Sequence, residues 1–143
     1  MRTLLLLTIL LWSTAAPGTE FNALDRNRDG AISRVEALGD TEIHKRFATF
    51  DGDSDGALSP TEYRLAVKHI DQRALHDSRI TARVKAALLA AKGIPSRQIA
   101  VETYEGRVQL KGHVDAPDIV SRAGRVTAAV QGVRTVHNDI AVK

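Results

Sequence analysis

The spacing of apolar residues changes twice along the chain, and each change marks a boundary. Leu4 to Trp12 form an unbroken apolar run behind Met1-Arg2-Thr3. From there to about residue 70 the apolar positions are sparse. Phe21 and Leu24, then Phe47 and Phe50, stand three apart, which puts each pair on one face of a short helix. After Asp71 the pattern becomes denser. Ile80, Val84, Leu88 and Ala91 recur at helical spacing, and Gly93 closes that helix. Ile99, Val101 and Thr103 alternate as a strand does, Glu105-Gly106 marks a turn, and Val108, Leu110 and Gly112 form the returning strand. Asp115-Ala116-Pro117 opens a second helix that buries Ile119, Ala123, Val126 and Val130 and ends at Gly132. Val133, Val136, Ile140 and Val142 fit a last strand. The pattern predicts a mainly α N-terminal half and an α+β C-terminal half, with two helices on a three-stranded sheet in the order α-β-β-α-β.

The sparse half contains a repeat. FNALDRNRDGAISRVE (Phe21 to Glu36) recurs as FATFDGDSDGALSPTE (Phe47 to Glu62). Each copy presents oxygen donors at the spacing of a twelve-residue loop around a hard cation. Asp25, Asn27 and Asp29 stand at loop positions 1, 3 and 5, as do Asp51, Asp53 and Asp55. Ala31 and Ala57, at position 7, would offer backbone carbonyls. Ser33 and Ser59, at position 9, fall where a water often bridges, and Glu36 and Glu62 close the sphere with two oxygens each. Gly30 and Gly56 allow the sharp turn at position 6. Ile32 and Leu58, at position 8, are placed to pair across from one loop to the other.

These residues resemble the EF-hand family over roughly residues 20–70. The resemblance implies two helix–loop–helix units packed as a pair, with Ca²⁺ as the ion. Only residues 37 to 50 separate the loops, and Gly39 and Asp40 are expected to break that stretch into short helices. The first entering helix is expected to be short. A wide hydrophobic groove of the sensor type is not expected, because sensor grooves rely on methionine and this chain has one.

The apolar start reads as an export signal over residues 1–16. It has a basic first segment, a short apolar core and small residues around Ser13-Thr14-Ala15-Ala16, and it is too short to span a bilayer. The expected destination is the periplasm or the exterior. The chain has no cysteine, which excludes disulfides and a lipid-modified cysteine anchor. Stability must therefore come from packed cores and bound ions.

Charge separates the halves. Residues 17–76 hold 8 Lys+Arg and 11 Asp+Glu, a net −3, whereas residues 77–143 hold 11 and 6, a net +5. The expected plan is an EF-hand pair over 17–71, a linker over 72–76 and a second domain over 77–143. In that second domain, Asp77-Ser78-x-Ile80, Ile99-x-Val101, Gly106-x-Val108-x-Leu110-x-Gly112-x-Val114 and Gln131-Gly132-Val133-x-x-Val136-x-Asn138 resemble the BON domain. Gly106 is assigned to the hairpin turn, Gly112 to close packing beneath a helix, and Gly132 to the end of the second helix. The resemblance implies one complete copy of an exported module linked to phospholipid binding and envelope integrity. Arg79 and Arg83 (i, i+4) and Arg122 and Arg125 (i, i+3) are the candidate residues for an anionic lipid surface. Each basic residue near such a surface contributes about 1 kcal/mol.

No catalytic constellation stands out, and the chain is read as a non-enzyme. Cysteine nucleophiles are excluded, and the histidines (His44, His69, His76, His113, His137) are scattered without a carboxylate pair, so they are read as surface or linker residues. Nucleic acid is a poor match, because the basic residues are not interleaved with aromatics. The leading reading is a calcium-binding exported protein whose second domain contacts phospholipid or envelope surfaces. The alternative is a calcium buffer or store whose basic domain does not bind lipid. The second loop has four carboxylates among its ligands. The first has three, with Arg26, Arg28 and Arg34 close by, so it should bind Ca²⁺ more weakly. Calorimetry should therefore show a greater loss of affinity in a Glu62→Gln variant than in Glu36→Gln. The reverse order would overturn the ranking.

Overall fold

The computed structural model describes residues 19–143, so the proposed export signal lies outside the described residues. The chain divides into two compact units, one up to Val67 and one from Lys68. Residues 72–76, expected as a linker, are helical, lying within a helix that runs from Pro60 to Ala90. Gln72, Arg73, Ala74 and Leu75 are good helix formers, and no glycine or proline interrupts the stretch.

In the first unit, α1 (Thr19–Leu24) enters the first loop. The loop leaves through β1 (Ile32–Ser33) and a 3-10 turn (Glu36–Gly39), followed by α2 (Thr41–Lys45) and α3 (Phe47–Phe50). The second loop leaves through β2 (Ala57–Leu58) into α4 (Pro60–Ala90). The expected break at Gly39 and Asp40 is present. Asp40 starts α2 as its N-cap, its carboxylate accepting from the amides of Glu42 and Ile43 at 2.9 and 3.1 Å. Among the described residues, the first entering helix covers Thr19–Leu24. Ile32, Ala37, Ile43, Phe47, Leu58, Tyr63 and Ala66 are buried, and the Phe21 ring meets the Tyr63 ring edge-on at 5.4 Å.

In the second unit, β3 (Ile99–Tyr104), β4 (Arg107–Val114) and β5 (Thr135–Val142) form a sheet in the order β3-β4-β5. β3 and β4 are an antiparallel hairpin, and β4 and β5 run parallel through the crossover helix α5 (Pro117–Ala128). One sheet face is apolar. Ile99, Val101, Val108, Leu110, Val114 and Ile140 pack with Ile80, Val84 and Leu88 of α4 and Ala123 of α5. The alternate residues, among them Glu102, Arg107 and Lys111, face out. This is the α+β arrangement of two helices on three strands that the apolar spacing predicts.

Four details differ from the expectation. The last strand begins at Thr135, so Val133 lies in the turn before it, and Val142 is exposed. α5 ends at Ala128, four residues ahead of Gly132. A Cβ on Gly132 would lie 3.0 Å from Ile80 Cγ1, so its smallness admits α4 rather than capping α5. At Gly112 a Cβ would collide with the Gln98 carbonyl oxygen, so the backbone leading into β3, not a packed helix, excludes a side chain there.

Polar side chains fix the layers. The buried Asp77 carboxylate accepts the Glu105 amide at 2.7 Å and the Gly106 amide at 2.9 Å, tying α4 to the β3–β4 turn. Bonds to a charged acceptor contribute about 1.5–3 kcal/mol each. Asn138 donates from β5 to the Val120 carbonyl of α5 at 2.9 Å, and Thr81 of α4 donates to Thr103 of β3 at 2.8 Å. Thr127 of α5 is the exception. Its side chain is fully buried and Oγ1 has no hydrogen-bond partner. An unsatisfied hydroxyl costs about 1–3 kcal/mol. Thr127→Val, which replaces the hydroxyl by a methyl of similar size, should raise unfolding stability by about 1 kcal/mol. Urea unfolding measures it, and a destabilised variant would show that the hydroxyl is satisfied.

Candidate calcium loops

Each loop begins with an aspartate that folds the backbone over itself. Asp25 accepts the amides of Asp29 (3.1 Å) and Gly30 (3.0 Å), and Asp51 accepts those of Asp55 and Gly56, both at 3.1 Å. Asp29 and Asp55 accept the amides of Ala31 (3.0 Å) and Ala57 (2.9 Å). The two loops are thus built on the same bonds. Gly30 and Gly56 have φ of +86° and +87°, as position 6 requires. Position 4 is also left-handed, at Arg28 and Ser54 (φ +59° each). The spacing of ligands gives no sign of that second reversal.

The closing glutamates have two tasks. Glu36 Oε1 accepts the amides of Arg26 (2.9 Å) and Asn27 (3.2 Å), reaching back across the loop. Its Oε2 accepts the Ser33 amide (2.9 Å) and hydroxyl (2.7 Å), while Ser33 Oγ accepts the Glu36 amide at 3.3 Å. Glu62 repeats this, with Oε1 on the Gly52 amide (2.8 Å) and Oε2 on the Ser59 amide (2.9 Å) and hydroxyl (2.7 Å). In the second copy Ser59-x-x-Glu62 is the capping box of α4, with Pro60 at the first helical position, whereas in the first copy the same bonds close the turn that leads into the 3-10 segment. The sequence reading assigned Ser33 and Ser59 only to a water-bridging position. The spacing to Glu36 and Glu62 is the signal for their part in closing the loop exit, and for Ser59 in starting α4.

These bonds hold the carboxylates ionised. The Ser33 amide and hydroxyl, then the Asn27 amide, bring Glu36 down from the usual range to about 2, and the Ser59 hydroxyl and amide lower Glu62 likewise. Near neutral pH no proton has to leave either group before a cation arrives.

The donor set is oxygen alone, which suits a hard cation such as Ca²⁺. Carboxylate oxygens of Asp51, Asp53 and Asp55 lie within 4.8 Å of one another, close enough for one cation to reach all three. In the first loop Asn27 replaces one of those charges and donates to Asp29 at 2.8 Å. Ile32 and Leu58 pair directly across β1 and β2, both fully buried, so the two loops share one ladder. The residues fit the ion: Asp25, Asn27, Asp29, Glu36 and the Ala31 carbonyl would hold one, and Asp51, Asp53, Asp55, Glu62 and the Ala57 carbonyl the other.

Residues 19–36 and 43–67 match the EF-hand family model, and residues 76–143 match that of the BON domain. The chain carries an EF-hand pair followed by a BON domain. Osmotically-inducible protein Y of Escherichia coli (strain K12) is 45% identical over 67 residues, which cover 47% of this chain and 33% of that protein. The chain therefore aligns with about a third of the length of that relative.

In the BON domain, Arg79, Arg83 and Arg125 are exposed. Arg122 is partly buried. It donates to the Lys92 carbonyl and lies 4.0 Å from Asp118, so its guanidinium is engaged with its own domain. Among the histidines, His69, His76, His113 and His137 are exposed, whereas His44 has a buried Nδ1 with no hydrogen-bond partner. No helix among the described residues is long and apolar enough to cross a membrane.

Tyr63 follows Glu62 directly and is buried against Phe21. Tb³⁺ bound in the second loop should therefore be sensitised by Tyr63 excitation, and Tyr63→Phe should abolish the emission. A folded protein that gives no emission would contradict an ordered second site.

Proposed function

We propose that the EF-hand pair binds two Ca²⁺ ions and that the BON domain brings the chain to an anionic phospholipid or other envelope surface. The all-oxygen donor set carries the first part. Both closing glutamates are already positioned across their loops by backbone amides. The Ala31 and Ala57 carbonyls would complete each set of ligands, and a bound Ca²⁺ would supply positive charge that offsets the gathered carboxylates. The side chains themselves orient the loops, start the exit helices and remain ionised.

The second part rests on the BON family match, on the net +5 of residues 77–143, and on the exposure of Arg79, Arg83 and Arg125. Arg79 and Arg83 share a face of α4 by their i, i+4 spacing. Engagement of three basic residues at about 1 kcal/mol each gives weak, reversible attachment. The proposed site of action is the periplasm or the exterior, where calcium is plentiful enough to fill weak sites. The relative's name, osmotically-inducible, is consistent with a role in the stressed envelope. The function is binding rather than catalysis.

Co-sedimentation with vesicles tests the lipid part. Binding to vesicles containing phosphatidylglycerol should exceed binding to phosphatidylcholine vesicles at low salt and in Ca²⁺. Arg79→Glu with Arg83→Glu should reduce it several-fold. Equal binding to both vesicle types, with the calcium sites intact, would instead support a calcium buffer.

A further inference from the structure

β5 is an edge of its sheet. β4 pairs with all eight of its residues, from Thr135 opposite Arg107 to Val142 opposite Val114, and among the described residues no strand lies on its other side. Such edges are ordinarily blunted by proline, lysine or a bulge. β5 contains neither residue, and its register with β4 runs without interruption.

The direction of its backbone groups can be read from its end. The Lys143 amide donates to the Val114 carbonyl of β4 at 2.9 Å. By alternation the odd-numbered residues turn their amides and carbonyls towards β4. Those of Val136, Asn138, Ile140 and Val142 lie on the open edge. The Ile140 amide accordingly meets only its neighbour's Asn138 Oδ1, at a long 3.4 Å.

The side chains along this edge are self-complementary in one register. A second β5 laid antiparallel, with Asn138 opposite Asn138, sets His137 opposite Asp139 and Asp139 opposite His137. Val136 faces Ile140 twice, and Thr135 faces Ala141. The outward amides then make the hydrogen-bonded pairs, and His137 and Asp139 occupy the close pairs between them. Centring on Ile140 would set His137 against Lys143, and centring on Val136 would set Asp139 against Val133. Only the Asn138 register sets an imidazole opposite a carboxylate across the edge while apolar Val136 and Ile140 stay together. His137 and Asp139 already face the same way, with Nε2 and Oδ1 3.1 Å apart, and His137 is 76% exposed. A two-fold axis normal to the sheet keeps the helices of both copies on one face.

We propose that β5 is the dimer interface of this protein. Its partner is the β5 of a second copy, joined antiparallel about Asn138 into a six-stranded sheet. The inference does not depend on calcium or lipid.

Sedimentation of the full chain over a range of concentrations tests it. The parent should show a monomer–dimer equilibrium. His137→Asp, which sets two like charges opposite Asp139, should weaken it by about tenfold or more. The exchanged double variant, His137→Asp with Asp139→His, should restore the parent affinity to within about threefold. Hydrogen exchange supplies a readout without substitution, since the amides of Val136, Asn138 and Ile140 should gain protection as concentration rises. A monomer at all concentrations up to about 1 mM would overturn the proposal. So would an unchanged affinity in His137→Asp, no recovery in the exchanged variant, or no concentration-dependent protection at those three amides.

Discussion

The structure of the EF-hand pair depends on a single kind of contact, a glutamate carboxylate shared between a loop and a helix start. Glu36 and Glu62 each place one oxygen on amides near the beginning of their loop and the other on the serine that caps the exit. At the second loop, helix capping and loop closure are therefore one event. The same bonds favour the ionised form of the carboxylate. With few apolar residues in this half, geometry is set by polar bonds to backbone amides. The β1–β2 ladder then couples the two copies through Ile32 and Leu58.

The BON domain solves the same problem with a different balance. Its core is apolar, drawn from one face of the sheet and from α4 and α5. Burying an aliphatic side chain there contributes about 1.5–3 kcal/mol. Polar residues are reserved for alignment. Asp77 holds the hairpin turn, and Asn138 holds α5 over β5. The opposite sheet face and the β5 edge are left polar and open. α4 supplies both units, with Tyr63 and Ala66 buried in the first and Ile80, Val84 and Leu88 in the second.

Much of this was legible in the sequence, because period and spacing map onto it directly. Alternation located β3 and β4, the four-residue apolar spacing located the buried face of α4, and the repeat located the two acidic loops. What was missed depends on contacts between residues distant along the chain, or on helix signals overshadowed by a stronger motif. Gly112 and Gly132 are glycines because of Gln98 and Ile80, which local spacing cannot reveal. Asp77 was read as part of a motif, but its bonds lie 28 and 29 residues away. The reading of 72–76 as a linker followed the shift in charge, yet charge does not break a helix where no glycine or proline intervenes. The Ser-x-x-Glu spacing was visible throughout, overshadowed because the same residues also fill the candidate ligand positions of the loops. Arg122 was indistinguishable from Arg125 by spacing, and only the Lys92 carbonyl and Asp118 separate them.

Titration calorimetry with Ca²⁺, paired with thermal unfolding of the same sample, tests the central claim most directly. If the caged carboxylates are cation sites, the chain takes up two Ca²⁺ with measurable heat, and the melting temperature of the EF-hand pair rises as the sites fill. Folded protein with neither heat nor a shift in melting at millimolar Ca²⁺ would contradict the account.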